Sequence, residues 1–427
     1  MIFNRKRYLD KLIQKKNNGM VKIITGIRRC GKSFLLTELF HKHLNSVGIP
    51  DQQIIELALD EDQNIRYRNP ILLGEHIREL VSDKNKSFYV ILDEIQKVKP
   101  VKNPYLPDSD DRVGFVDVLL GLMKLKNVDV YVTGSNSKML SSDIVTEFRG
   151  RGDELRLYPL SYQEILEVYN NDTSRAWKNY VTYGGMPKVL LLDSHEEKSQ
   201  YLKDLFSKIY ITDILERHGV RNDASLLEEL IKVVASSIGS LTNPTKLANT
   251  FASKENIRVS HNTIADYLDY FVDAFLINKA YRYDIKGKSY IDSPLKYYFA
   301  DIGVRNARLD FRQQEETHIM ENIIYNHLLM NGYEVDVGSV EVWQKDDSGK
   351  RRHVSYEVDF VARKAGEICY IQSALSVADE EKRLQEINSL INIKDSFSKI
   401  VVVKDNINPW RDNHGIQYLS LEQFLTS

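Results

Sequence analysis

Between the apolar run Val21 to Thr25 and the helical pattern Ser33 to Phe40 lies Gly26-Ile27-Arg28-Arg29-Cys30-Gly31-Lys32-Ser33, with glycines at its first and sixth positions, then lysine and a hydroxyl residue. A strand that runs into a helix through such a segment restricts the chain to an α/β design, with the turn at a strand's carboxyl end. The two glycines free the backbone so that successive N–H groups converge, and the helix N-terminus adds its positive end. That arrangement suits phosphate. Gly26, Ile27, Arg28, Arg29, Cys30, Gly31, Lys32, Ser33 and Phe34 are therefore the expected cradle. Lys32 is expected to reach the β and γ phosphates, and Ser33 to offer its hydroxyl to Mg2+. Cys30 reads as a small filler facing away from phosphate rather than as a redox thiol.

Hydrolysis needs a second metal ligand and a base, and the stretch "FYVILDE" supplies both. Its apolar residues predict a buried strand, with Asp93 at the carboxyl end, where ligands gather on an open parallel sheet. Asp93 is expected to hold Mg2+ through water, and Glu94 to take the proton of an attacking water. A further strand ends "VTGSNS", bringing Thr133, Ser135 and Asn136 to the same edge, where Asn136 could orient that water. "FRGRGDEL" offers Arg149 and Arg151, either of which could act as an arginine finger towards a neighbouring subunit.

Strand-like and helix-like runs alternate over residues 21 to 160, as expected for a parallel sheet covered by helices. The polar, proline-rich residues 97 to 113 read as a mobile loop on the functional edge. Apolar spacing by three and four marks residues 161 to 240 as all-helical. Residues 241 to 310 give helices, then a hairpin over "KAYRYDIKGKSYID", which suggests a winged helix-turn-helix. Residues 311 to 427 form a second α/β region. The net charge of -2 excludes a strongly basic surface over the whole chain. Two cysteines, Cys30 and Cys369, provide no disulfide framework. No run approaches the roughly 18 apolar residues that span a bilayer, so a cytoplasmic protein with no membrane partner is expected.

With these residues identified, the chain resembles the AAA+-type P-loop ATPases of bacteria and archaea known as ATP-binding proteins. The resemblance rests on "GIRRCGKS", "ILDEIQ", "VTGSNSKML", "RGR" before "LYPLSYQEIL", "YGGMP", "ITDILERHG" and "PLKYYFADIGVRN". It implies an ATP-dependent core with an additional strand and a catalytic glutamate (1–160), a helical lid (161–240), a winged helix (241–310) and a restriction-endonuclease-like domain (311–427). By similarity, Gly26, Gly31, Lys32 and Ser33 match Walker A, Asp93 and Glu94 match Walker B, and Ser135 or Asn136 matches the sensor. Arg151 becomes the preferred finger. Arg5 and Tyr8 precede the core as adenine-contacting residues do in relatives.

The tail resembles the PD-(D/E)XK nuclease fold, whose chemistry needs acidic Mg2+ ligands and a lysine. Glu321 and Asp359 fit two of those places. Where the fold has an acid, any residue, then lysine, this chain has Gln372-Ser373-Ala374. Glutamine brings no charge and alanine no electrostatic effect, so a scaffold without cleavage is expected. In the winged-helix segment, Arg258, His261, Asn262, Lys286 and Lys288 are candidate DNA contacts. Asp266, Asp269 and Asp273 on the same helix would repel phosphate, while Ile264, Leu268, Phe271 and Phe275 form a core stripe. Three functions follow: an ATPase whose cycle moves its domains, a DNA-directed module under ATP control, and a slow nucleotide switch that recruits a protein. A homo-oligomer is expected wherever the finger acts in trans.

Overall fold

The structure of the chain, a computed structural model, describes residues 3–134, 152–218, 220, 224–254, 258–312, 315–345 and 351–427. It has two compact units, Met1–Pro159 with Asp273–Phe275, and Leu160–Val272 with Leu276–Ser427. No helix among the described residues is long and apolar enough to cross a membrane.

The first unit is built on five parallel strands: β1 (Val21–Thr25), β2 (Ile54–Ala58), β3 (Phe88–Asp93), β4 (Val128–Thr133) and β5 (Gly152–Arg156). Their order across the sheet is β2-β3-β4-β1-β5. β1 is buried along its whole length, and β3 everywhere except Asp93. Burial on both faces explains why β3 reads as an unbroken apolar run up to Asp93 and β1 as one interrupted by Lys22, rather than as alternating strands. One charged pair is buried among them: Lys22 on β1 donates to Asp129 on β4, which also accepts from the Tyr131 hydroxyl at 2.7 Å and the Asn17 amide at 2.9 Å. The helix Pro70–Leu80 begins where Asn69 accepts from the Ile71 amide at 3.0 Å, with proline at the first helical position, where no N–H partner is lost. The polar stretch after β3 is not wholly irregular. It carries a short antiparallel ribbon, Val101 opposite Val113 and Lys102 opposite Arg112.

The second unit joins a helical layer to an eight-stranded mixed sheet. Its strands are β6 (Ile277–Asp284), β7 (Ser289–Phe299), β8 (Glu334–Lys345), β9 (Arg351–Lys364), β10 (Glu367–Ala374), β11 (Ser398–Val403), β12 (Trp410–Arg411) and β13 (Gln417–Ser420). They lie in the order β12-β13-β11-β10-β9-β8-β6-β7. The hairpin expected as a free wing is longer than its turn residues suggested and belongs to this sheet. β6 pairs in parallel with β8, setting Arg282 opposite Val337 and Tyr283 opposite Gly338, and the Ile285 amide extends the contact to the Ser339 carbonyl at 3.0 Å. The sheet therefore runs through the expected boundary at 310/311. A parallel pair needs a long crossover, and the helices Ile302–Arg308 and Glu316–Met330 provide it. Asn322 on the second helix donates to the Phe299 carbonyl and accepts from the Phe299 amide, each at 2.8 Å.

Leu160 and the "YGGMP" and "FADIG" blocks meet in this unit. Asp301 is buried, caps the helix Ile302–Arg308 by accepting from the Val304 amide at 3.0 Å, and accepts from the Gly185 amide at 2.7 Å. The Leu160 amide donates to the Gly185 carbonyl at 2.7 Å. Gly184 has φ of +71°, and a Cβ there would lie 2.2 Å from the Asp301 carboxylate, so the close approach requires glycine. Burial raises the Asp301 carboxyl to about 6, against the pull of its amide donors.

Candidate nucleotide site

β1 delivers the chain into the loop, and the backbone of the loop adopts conformations that few side chains tolerate. Gly26 has φ of +138°, Arg29 +70° and Gly31 +101°. A Cβ at position 26 would stand 2.1 Å from the Leu157 carbonyl oxygen, so this first position requires glycine on steric grounds alone. The Cys30 thiol is fully buried and lies 3.5 Å from the same carbonyl, turned into the protein. The Lys32 ammonium is held within the curl of the loop, donating to the carbonyls of Gly26 at 2.9 Å and Ile27 at 3.2 Å. Ser33 is exposed at the helix start, and the Leu35 amide closes the first turn on Gly31 at 2.9 Å. The helix is α over Lys32–Phe34, π over Leu35–Phe40 and α again over His41–Ser46.

Asp93 and Glu94 stand at the carboxyl end of β3. β4 lies between β3 and β1, with Leu92 opposite Val132 and Ile24 opposite Thr133. Asp93, Thr133 and Ile24 thus form one row across the sheet edge, and two strand spacings put the acid about 10 Å from the loop strand. The Thr133 hydroxyl, fully buried, donates to the Asp93 carboxylate and accepts from the Glu94 amide at 3.0 Å. Glu94 occupies the left-handed region with φ of +54°, a conformation that costs a non-glycine residue about 1 kcal/mol or more and clusters at functional sites. The Gln96 side-chain amide donates to the Glu94 carboxylate. In the sequence Gln96 is marked only as a polar residue two places after the acid pair.

Asn136 and Arg151, with Ser135 and Arg149, lie outside the described residues. Arg5 is buried in a left-handed conformation, donates to the Tyr158 carbonyl and stands 4.7 Å above the Tyr8 ring. In the second unit, Arg258, His261 and Asn262 are exposed at the start of the helix His261–Asp273. Asp269 on that helix is paired with Lys279, and Lys286 donates to the Glu341 carbonyl at 2.6 Å. Glu321 and Asp359 come together in the eight-stranded sheet's carboxylate cluster.

A family model described as an AAA domain matches residues 18–166, and two models described as domains of unknown function, DUF8612 and DUF4143, match residues 174–315 and 316–424. An uncharacterized protein of Haemophilus influenzae is 33% identical over 94% of this chain and 93% of its own. One of Methanocaldococcus jannaschii is 26% identical over 92% and 84%. Among solved structures, a Walker-type ATPase of Pyrococcus abyssi is 16% identical, covering 72% of this chain and 96% of that one with a TM-score of 0.49. The Aeropyrum pernix ORC1 protein, solved in complex with DNA, is 10% identical, covering 73% and 93% with a TM-score of 0.33. One relative matching at a third of positions along almost the full length, together with the AAA match over the loop and the acidic strand, places the chain in the same family as the Haemophilus influenzae protein, a family of AAA+ P-loop ATPases.

Proposed function

We propose that the chain binds ATP with Mg2+ at the loop and hydrolyses it. The cycle would rearrange the helical lid (161–240) against the winged-helix segment (241–310) and the C-terminal domain (311–427), which move together because one sheet runs through both. The observation that carries this reading is the row at the sheet edge, where buried Thr133 ties Asp93 to the backbone of Glu94 beside the strand that ends in the loop. The residues present fit the cofactor, since the close approach at Gly26 excludes any larger residue and a buried ammonium lies inside the curl.

Ser33 and Asp93 would hold Mg2+, which when bound offsets charge on the phosphate oxygens. The main-chain amides of the loop and the helix start bind the β and γ phosphates, and Lys32 exchanges the carbonyls of Gly26 and Ile27 for phosphate oxygens. Glu94 accepts a proton from the water that attacks the γ phosphorus as the bond to the β,γ-bridging oxygen breaks and ADP leaves, with the Gln96 amide orienting the carboxylate. Asn136 orienting the water, and Arg151 reaching from a neighbouring subunit of a homo-oligomer, complete the proposal. The test is calorimetry and turnover with purified protein. Wild type binds and hydrolyses Mg·ATP, Lys32→Ala does neither, and Glu94→Gln binds without turnover. No binding heat in the wild type, or equal turnover in all three, ends the reading.

A second reading, in which ATP controls contact with DNA, is favoured by the exposure of Arg258, His261 and Asn262 at one helix start. A salt-dependent gel shift lost in Arg258→Ala is its expected sign; no shift at low salt, with or without ATP, excludes it.

A further inference from the structure

The resemblance of the tail to metal-dependent nucleases implies a divalent cation held by carboxylates, and the residues present do not fit one. Glu321 projects from the helix Glu316–Met330, Glu357 and Asp359 from β9, and Lys296 from β7. The Lys296 ammonium lies 3.2 Å from the Glu321 carboxylate and 2.7 Å from that of Glu357. Its side chain is 3% exposed. Glu321 also accepts from the Tyr298 hydroxyl at 2.9 Å.

Both oxygens of Asp359 accept from neutral donors. One carboxylate oxygen accepts from the Ser373 amide at 2.8 Å and the Ser373 hydroxyl at 2.6 Å, and the other from the Gln372 side-chain amide at 3.2 Å. A glutamate at 372 could not make that last donation. Gln372 also turns its own oxygen to the Asp359 amide at 3.3 Å. Burial works against the charge of Lys296, yet Glu321, Glu357 and Asp359 outweigh it and hold the ammonium above its ordinary range. Among the described residues no group of three or more His, Cys, Asp or Glu is placed to hold a metal ion.

We infer that Lys296 is the resident cation of this cluster, its ammonium taking the place between Glu321 and Glu357 that a divalent ion would need. The departure at Gln372-Ser373-Ala374 is then one half of a conversion whose other half lies far away in sequence. Two residues of β10 hold Asp359 with neutral donors, and one residue of β7 pairs with Glu321 and Glu357. The lysine belongs to the segment matched as DUF8612 and the carboxylates to the segment matched as DUF4143, so the two segments share one buried cluster.

The experiment titrates the full-length protein with Mn2+ in the absence of nucleotide, reading calorimetry and thermal unfolding for wild type, Glu321→Gln and Lys296→Met. Wild type and Glu321→Gln are expected to give the same Mn2+ trace, because the cluster takes up no ion in either. Lys296→Met is expected to melt below wild type and to recover as Mn2+ is added, with affinity raised roughly tenfold or more, since hard cations follow ligand charge. A wild-type Mn2+ signal that disappears in Glu321→Gln overturns the inference. So does a Lys296→Met protein that melts like wild type and ignores Mn2+. Should Lys296→Met not fold, the comparison of wild type with Glu321→Gln still decides, and it does so independently of whether the loop turns over ATP.

Discussion

Two places in this molecule gather carboxylates, one at a strand end of the five-stranded sheet and one between β9 and the helix Glu316–Met330, and in the second an ammonium sits among the acids. At the edge of the five-stranded sheet, Asp93 is bonded by the Thr133 hydroxyl and Glu94 by the Gln96 amide, both neutral groups. The nearby Lys32 lies against main-chain carbonyls. In the eight-stranded sheet, Glu321 and Glu357 are bonded by an ammonium. Neutral donors fix the direction of a carboxylate and leave its charge in place, whereas a buried lysine cancels that charge. The first arrangement suits an acid that must meet a cation or take a proton. The second suits a core that has to stay closed, because an uncompensated buried charge is costly.

The sharpest way to break this comparison is to neutralise one acid in each place. Glu94→Gln is expected to lower ATP turnover by roughly 10²–10⁴-fold, the usual contribution of a general base, while Glu321→Gln leaves turnover at the wild-type level. Equal losses in steady-state assays would erase the distinction. Next in size, Lys296→Met should destabilise the second unit by about 3–5 kcal/mol, the typical cost of removing one partner of a buried pair, measured by denaturant unfolding. A change below about 1 kcal/mol would mean that the pair behaves as a surface one.

Asp301 supplies an internal contrast, being a buried carboxylate held by main-chain amides. Its folded pKa of about 6 lies above the ordinary 3.8. Its contribution is therefore fully present below the lower value and is lost as pH rises through about 6. The difference of about two pKa units corresponds to about 3 kcal/mol. Unfolding free energies of wild type should fall over this window relative to Asp301→Asn; parallel pH profiles would remove Asp301 from the account. Smaller again, Thr133→Val should cost about 1.5–3 kcal/mol, as expected for a hydrogen bond to a charged group, with Thr133→Ser restoring most of it. Smallest of all is Glu357→Gln. Glu357 is 38% exposed, so its loss should shift stability by less than about 1 kcal/mol. A larger shift would show that Lys296 depends on Glu357 more than on Glu321.

The two regions also differ in how far the sequence revealed them. In the first unit, each element of the candidate site is local: a strand, a turn of fixed length and a helix, then an apolar strand with two acids at its tip. Gly26 and Asp93 stand out because the pattern that marks them spans a few positions, although the groups that contact them, Leu157 and Thr133, come from distant strands. Gln96 was harder, since an amide two residues after an acid is as common on a surface as in a site. In the second unit the decisive partners are distant. Nothing local singles out Lys296, which stands in the block "PLKYYFADIGVRN" just past the hairpin that reads as a wing, and it is the sheet continuing from β6 to β8 that brings it to the carboxylates. Ser373 and Gln372 could be seen as departures from a pattern, but not as donors that hold Asp359.

The sequence by itself determined the phosphate loop, the acidic strand tip and the helical and strand-like character of the regions that follow. Each depends on steric and hydrogen-bonding rules acting over fewer than about ten residues. Only the tertiary structure decided which strand separates β3 from β1, which hydroxyl reaches Asp93, and which cation neutralises Glu321. Those choices depend on pairing between strands far apart in the chain, where the free energy comes from burying both faces of a sheet and no local pattern records the partner.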